Sequence, residues 1–468
     1  MGTTLPGAPA RRVEPQAMNA GASPSGPAAG RDAPASGTTG RSVRFAPVDV
    51  ARWAIWGSLA LVFAVAPLVF SKGFALTLLS QMGISIIFCL SYNMLFGQGG
   101  MLSFGHAVYS GLGAFFSIHA LNWIGAGQLA LPVALLPLVG GLFGALFGVL
   151  FGYVTTKKSG TPFAMITLGI GELVFACSLM FPGFFGGEGG ITTNRVVGQP
   201  VLGISFGPQI QVYYLIAVWC FASIVAMYAF SHTPLGRISN AVRDNPERVE
   251  FVGYNTQRVR YLVLIVSAFF AGIAGGLSAI NFEIVSAENV SAVRSGGVLL
   301  ATFIGGATFF FGPILGAVLF TFAVVALSEF TKAWQLYLGV FFVLMVMFAP
   351  GGLAGILMTN LRVAKFGFLR RLAAPYAWLL AGSLALLAAV VEVVELGYFR
   401  TLEAASGNTI KRLWGISVDT NSVAAWLGVL LVLAAAAALF EFTRRRFARA
   451  WDAVQVDIEQ RLAAAGRR

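Results

Sequence analysis

Apolar runs of about 20 residues recur along this chain, and they constrain its fold more than any other feature. One such run, as an α-helix, crosses a bilayer core about 30 Å thick. Hydrophobic residues make up 57% of the sequence and the mean hydropathy is +0.79, which exceeds what the interior of a soluble protein of this length can bury. Hairpin signals are scarce, which disfavours a β-barrel. The sequence therefore predicts an all-α, polytopic membrane helix bundle.

We predict about 10–12 transmembrane helices, because a span needs about 20 apolar residues. They lie near 53–70, 75–96, 105–122, 129–154, 161–183, 211–231, 260–282, 297–310, 313–330, 336–357, 376–397 and 423–441. This set of crossings places both termini on one side. Basic residues cluster on that side, which indicates the cytoplasm by the positive-inside rule. They include Lys157, Lys158, Arg362, Lys365, Arg370, Arg371 and the arginines at 444–446.

The segment 297–310 is too short to cross comfortably and runs straight into GGATFFFGP. Glycine and proline in this stretch break a helix. We expect a re-entrant or broken helix here, which lipid tolerates only where protein or a cavity surrounds it.

The two ends of the chain differ from its middle. Residues 1–45 are rich in Pro, Gly, Ala and Ser, and are predicted to be a disordered basic cytoplasmic tail and not a cleaved signal peptide. Residues 358–441 hold two further spans. The tail 442–468 is basic and amphipathic, and is predicted to lie on the membrane or on a partner. Its apolar positions are Phe447, Trp451, Val454, Ile458 and Leu462.

An island of charge, LGRISNAVRDNPERVEFVGYNTQRVR at 235–260, interrupts a chain that is only 11% charged. Asp244 and Asn245 are N-cap residue types, Pro246 suits the first turn, and Gly253 suits a left-handed helix stop. The pattern predicts a two-turn helix in a cytoplasmic loop. Val249, Phe251 and Val252 would give it a small apolar face that needs something to pack on. An ordinary solvated loop is the alternative.

Six stretches, in this order, resemble the membrane subunits of ABC importers for branched-chain amino acids. They are LSYNMLFGQGGMLSFGHAVYSGLGAF, GTPFAMITLGIGELVF, FFGGEGGIT, SAFFAGIAGGLSA, FIGGATFFFGPILGAVLF and MFAPGGLAGIL. That family's coupling helix carries a Glu-Ala-Ala-x-x-x-Gly pattern that docks on the ATPase. Glu247 and Gly253 keep its spacing, while Arg248 and Val249 replace the two alanines.

The resemblance implies a type II ABC importer-like bundle, with a permease domain at 46–357, in a bacterial inner membrane. It implies four kinds of partner: a homologous second permease subunit, two ABC ATPase subunits, a periplasmic substrate-binding protein and an amino acid cargo. Urea and short amides are alternative cargoes. The ATPase-coupling residues would be Arg243, Asp244, Glu247, Arg248, Val249, Glu250 and Gly253.

A polar translocation pathway is predicted near the run GQGGMLSFGHAVYSGLG at 97–113. Glycines and polar groups at membrane depth suit a pathway, although helix packing alone would also explain the glycines. The candidate lining residues are Gln98, Ser103, His106, Thr167 and Glu172. Glu172 lies in mid-span, where a carboxyl group usually faces the bundle interior, and a structural hydrogen-bonding role is as well supported as substrate contact.

Other functions find less support. No Lys follows a Gly, so the phosphate-binding GxxxxGK[ST] motif is absent and ATP must be hydrolysed by a partner. No cofactor, catalytic or metal set is recognisable among the scattered His and Cys residues. The net charge of +12 comes without a nucleic-acid-binding pattern. An ion-coupled secondary transporter or channel that uses Glu172 is the alternative function.

Overall fold

The computed structural model describes residues 50–70, 72–197, 205–403, 410–413, 416–420 and 422–465. The predicted tail at 1–45 and the last three residues of the predicted 442–468 tail lie outside the described residues. The chain divides into two compact units, Met1–Ala54 and Ile55–Arg468. The packing that follows concerns the second unit.

Helices dominate the described part of the chain. They are α1 (Val50–Val69), α2 (Gly73–Asn93), α3 (Ala107–Gly125), α4 (Leu136–Thr155), α5 (Thr161–Met180), α6 (Pro182–Phe185), α7 (Gln209–His232), α8 (Pro234–Asp244), α9 (Pro246–Phe251), α10 (Thr256–Phe282), α11 (Ala292–Gly305), α12 (Gly312–Phe330), α13 (Trp334–Phe348), α14 (Gly352–Lys365), α15 (Leu369–Glu403) and α16 (Val423–Ala465). Two short antiparallel pairs join β1 (Ile191–Thr192) to β2 (Ile284–Val285) and β3 (Ile410–Leu413) to β4 (Ile416–Asp419).

The predicted all-α polytopic bundle is confirmed. Within the described residues, eight helices are long and apolar enough to cross a membrane, or nine if α13 and α14 form one span bent by 47°. Trp56–Val69 of α1 and Ala292–Gly305, which is α11, are shorter apolar helices. The predicted span at 105–122 corresponds to α3, which carries Ser, His and Asn and does not reach the apolarity of the others. Most of α3 is buried by protein, so it needs less apolar surface.

Short and interrupted helices occur as predicted. The 14 residues of α11 extend about 21 Å, less than the bilayer core. A second interruption lies between α2 and α3, where a π-helix at Met94–Gln98 leads into non-helical backbone that continues to the start of α3. The stretch from the last turn of the π-helix to the first residue of α3, residues 97–107, is called the broken segment below.

The centre of the bundle is α10, which packs against α4, α3 and α2. Small residues allow the backbones to approach closely. A Cβ atom added at Gly272 would collide with the carbonyl oxygen of Gly140 on α4, and one added at Gly275 would collide with that of Ser110 on α3. The glycines are therefore a packing requirement at this junction.

Part of the apolar face of the predicted amphipathic tail is covered by this chain itself. Residues 442–465 continue α16 without a break, and α16 pairs with α15. Val454 and Ile458 are buried against Phe368, which directly precedes α15, and Leu372 in its first turn. Arg371 and Asp457 form an ion pair at 2.9 Å across the same contact. Val454 and Ile458 thus pack within the chain, while the side chain of Leu462 lies outside what the structure describes, and contact of this tail with the membrane or a partner stays a prediction.

Replacing Gly272 by alanine should destabilise the bundle, because the new methyl group overlaps the Gly140 backbone and neither backbone can move without disturbing α3. Overpacking of this kind costs about 1–3 kcal/mol. Thermal unfolding of the detergent-purified protein measures the effect. Gly57→Ala on α1, where a Cβ meets nothing within 4 Å, is the matched control and should unfold at the wild-type temperature or slightly above it, because alanine favours a helix. Equal unfolding temperatures for the two variants would contradict the packing argument.

Candidate functional site

The charge island folds into two short helices, α8 and α9, with a sharp corner at Asn245. The Asn245 side chain accepts a hydrogen bond from the backbone N–H of Arg248 at 3.0 Å, and Pro246 opens the helix. Gly253 has φ +94°, a conformation that side chains with a Cβ rarely adopt, and its N–H donates to the Glu250 carbonyl. The predicted short helix and its start and stop signals are confirmed, with Asn245 and not Asp244 as the N-cap.

The predicted apolar face of α9 is wrong in one respect. Val249 is buried, whereas Phe251 is 90% exposed and Val252 is 75% exposed. Phe251 follows Val249 by two residues and therefore points about 200° away from it around the helix, and Val252 is the C-cap at the outer end of α9. Phe251, Val252 and the half-exposed Tyr254 together form a protruding surface, which we call the apolar tip. Glu247, Arg248 and Glu250 surround it with exposed charge.

Arg243, on α8, connects the charge island to the broken segment. Its guanidinium donates a hydrogen bond to the carbonyl of Gly97 and forms an ion pair with Asp244 at 2.9 Å. Ser239, one turn earlier, donates to the carbonyl of Gln98 at 3.4 Å. Sequence reasoning assigned Arg243 and Gln98 to separate sites, but the structure places α8 directly against the end of the π-helix.

Four of the five predicted pathway residues meet here, since Gln98, Ser103 and His106 lie in the broken segment and Thr167 contacts it. His106 is fully buried, with Nε2 at 3.0 Å from the Ser91 hydroxyl and its ring stacked on Phe88. Thr167, on α5, accepts a hydrogen bond from the N–H of Phe104 at 3.2 Å. The carbonyl of Ser103 accepts one from Tyr92 at 3.2 Å. Ser91 and Tyr92 were missed by sequence reasoning, since a serine and a tyrosine inside an apolar run carry no distinguishing pattern.

Several polar atoms around this segment are enclosed without a hydrogen-bond partner in the described protein. They are Asn93 Oδ1, Gln98 Oε1, Ser103 Oγ and His106 Nδ1. Buried polar atoms are normally paired, and leaving them unpaired costs free energy. These side-chain atoms lie beside an interrupted helix, so they are free to form hydrogen bonds with a neighbouring helix that shifts or with a polar molecule that passes.

Glu172 does not join this group. The face of α5 that meets the bundle carries Phe163, Thr167 and Gly171, and Glu172 projects from the other face. Its side chain is exposed in this chain, as is that of Met165 on the same face. The expectation that Glu172 points into the interior of its own bundle is therefore wrong, because the next residue after Gly171 is rotated by about 100° around the helix.

Within the described ranges, no three His, Cys, Asp or Glu side chains lie close enough together to hold a metal ion. The arrangement consists of neutral polar groups around a break in the helices, joined to a charged protrusion.

Comparisons with known proteins identify a family that matches most of the bundle. Residues 74–350, from α2 to the end of α13, match the family described as branched-chain amino acid transport system / permease component. Two similar curated proteins are both named high-affinity branched-chain amino acid transport system permease protein LivM, from Escherichia coli (strain K12) and Salmonella typhimurium (strain LT2). Each is 28% identical over 316 residues, which cover 63% of this chain and 73% of the relative. No solved structure matches the chain.

Replacing Arg243 by alanine should loosen the broken segment, since the Gly97 carbonyl loses its guanidinium partner. A hydrogen bond to a charged group contributes about 1.5–3 kcal/mol, so amide hydrogen exchange in residues 97–107 should accelerate at least about tenfold. Hydrogen–deuterium exchange followed by mass spectrometry measures this. Arg237→Ala, on an exposed position of the same helix, should leave these amides unchanged. Identical exchange in both variants would refute the link.

Proposed function

Because this chain belongs to the family of branched-chain amino acid transport system permease components, we propose that it forms the membrane pathway of an ABC importer driven by a separate ATPase through the apolar tip. Family membership makes it a multi-pass membrane transport subunit that acts with other subunits.

The apolar tip supports the docking of an ATPase. Phe251 and Val252 are exposed on a charged protrusion, and aromatic and aliphatic side chains surrounded by charge are typical of the centre of a protein interface. Glu247 and Arg248 would supply the charged rim that fixes orientation. A six-residue helix such as α9 has little stability by itself. Its N-cap bond and its packing against a partner would together keep it folded.

The contact between Arg243 and Gly97 is the observation that carries the proposal. It joins the α8–α9 protrusion to the broken segment, where Gln98, Ser103 and His106 lie. Movement of the protrusion by an ATPase would therefore act directly on the backbone of the pathway. Nucleotide hydrolysis belongs to the partner, because the chain lacks the phosphate-binding motif.

The exposed face of α5 supports a pathway shared with a second permease subunit. An ionisable side chain facing lipid is costly, so Glu172 needs either water or a neighbouring protein. A pathway between two homologous permeases provides both. Thr167 on the inner face of the same helix would transmit changes in the broken segment to this surface.

The complete importer would contain this chain, a homologous permease, two ATPase subunits and a periplasmic substrate-binding protein. It would lie in the bacterial inner membrane with both termini of this chain in the cytoplasm. The cargo would be a branched-chain or related aliphatic amino acid, with urea and short amides as alternatives.

Uptake by the reconstituted importer tests the proposal as a whole. Proteoliposomes that hold the chain with its copurifying subunits and its binding protein should accumulate radiolabelled leucine only when ATP is supplied. The uptake should persist with a protonophore. Uptake that needs no ATP and collapses with the protonophore would establish an ion-coupled transporter instead.

Replacing Phe251 and Val252 together by serine should detach the ATPase, because truncating central interface residues costs about 2 kcal/mol or more each. We expect the ATPase activity that copurifies with the tagged chain to fall at least about tenfold, while membrane insertion is unchanged. Val423→Ser with Leu427→Ser, two exposed apolar positions on α16, is the matched control and should retain the activity. Full retention by the tip variant would place the docking surface elsewhere.

The side chain introduced by Glu172→Cys should react with a membrane-impermeant thiol reagent, because the proposed shared pathway contains water. The measurement uses the assembled importer in a background whose Cys89, Cys177 and Cys220 are replaced by alanine. Leu61→Cys, exposed on α1, should face lipid and react at least about tenfold more slowly, because the bilayer core excludes both water and charged reagents. Equal protection of both positions would assign Glu172 to a dry surface.

A further inference from the structure

A cavity of about 490 Å³ lies between α2, α10, α11, α12 and α13. None of the residues that we assign to the pathway or to the apolar tip lines it. Its walls are mainly apolar and include Ile84, Phe88, Val298, Phe320 and Leu338. Its volume is within the range of about 300–1,000 Å³ that is typical of small-molecule sites.

One charged side chain lines this cavity, that of Arg294 on the first turn of α11. Its Nη1 donates to the Asn289 side chain at 2.9 Å, and the guanidinium carbon lies 6.0 Å from the centre of the Phe88 ring. Across the described ranges, Arg294 forms no ion pair. A guanidinium has five N–H donors, and among the described residues the Arg294 side chain donates only to Asn289.

The rest of the lining determines which charge would be accepted. The remaining polar residues, Gln81, Ser85, Ser278 and Gln335, are neutral, and no carboxyl group lines the cavity to pair with an ammonium. The N-terminus of α11 adds positive potential beside Arg294. The cavity is therefore electrostatically suited to an anion and less suited to a zwitterion.

We propose that this cavity binds an anionic amphiphile, with its carboxylate or phosphate oxygens on Arg294 and its aliphatic body against the apolar walls. A guanidinium matches the geometry of both oxygen groups. Two sources share this chemistry, an acidic membrane lipid and a small aliphatic acid. The site goes beyond the proposed transport pathway and does not depend on it.

Equilibrium binding to the full chain, purified in detergent, tests the site with oleate and with oleyl alcohol, which has the same chain and no charge. Oleate should bind at least about tenfold more tightly, because charge-assisted hydrogen bonds exceed neutral ones. Arg294→Met should abolish that difference, whereas Arg449→Met, on an exposed position of α16, should preserve it. Equal binding of the two probes, or an unchanged preference in Arg294→Met, would overturn the proposal.

A second variant removes space and leaves the charge in place. Gly296 lines the cavity and a Cβ there meets nothing within 4 Å, so Gly296→Leu should fold normally and fill the cavity. It should weaken oleate binding at least about tenfold, while Gly428→Leu, an equally open glycine on α16, should not. Unaltered oleate binding by Gly296→Leu would also overturn the proposal, even if Arg294→Met fails to fold.

Competition identifies the source of the ligand. Displacement of oleate by dioleoyl phosphatidylglycerol assigns the cavity to an acidic lipid, and displacement by 4-methylpentanoate assigns it to a small aliphatic acid. Either result supports the site. If oleyl alcohol displaces oleate as effectively as phosphatidylglycerol and 4-methylpentanoate do, the site does not select for charge and the proposal is refuted.

Discussion

Backbone that leaves the helical path inside a membrane must find hydrogen-bond partners within the protein, and the broken segment satisfies this requirement with side chains from four other parts of the bundle. The carbonyls of Gly97, Gln98 and Ser103 accept from Arg243, Ser239 and Tyr92, and the N–H groups of Phe104 and Ala107 donate to Thr167 and Ser295. These bonds tie α2, α5, α8 and α11 to one short stretch. The interruption is therefore the point at which helices that are distant in sequence become mechanically connected.

The glycine junction around α10 makes this arrangement possible. With Gly140 and Gly272 in contact, α4 and α10 approach until their backbones touch, and α3 is held beside them through Gly275. The bundle behind the broken segment thus has little freedom to repack, because close-packed interiors respond to strain by discrete shifts and not by gradual deformation.

Sequence patterns predicted the features that depend on neighbours along the chain. The apolar runs predicted the helices, and Asn245, Pro246 and Gly253 predicted where α9 begins and ends, because capping involves residues only three or four positions apart. Features that depend on distant partners were not predictable. Nothing near Arg243 indicates the carbonyl of Gly97, and the outward direction of Glu172 depends on which face of α5 meets the bundle. The tail after residue 442 was predicted as amphipathic. The residues that bury part of its apolar face, Phe368 and Leu372, lie far away in the sequence, at the start of α15.

Energetics limits what the link between α8 and the broken segment can do. One hydrogen bond from Arg243 contributes about 1.5–3 kcal/mol, and the neutral bond from Ser239 about 1 kcal/mol. Converting a two-state protein almost completely from one conformation to the other takes about 5.5 kcal/mol of differential interaction. These two bonds can therefore bias the broken segment but cannot switch it. Ser239 and Val242 are also buried, so packing holds α8 in place in addition to these two bonds. The two bonds together supply about 2.5–4 kcal/mol of the roughly 5.5 kcal/mol, so a complete switch needs about 1.5–3 kcal/mol more. In the proposed importer, this remainder would enter through the surface that α8 and α9 present outward, which includes the apolar tip.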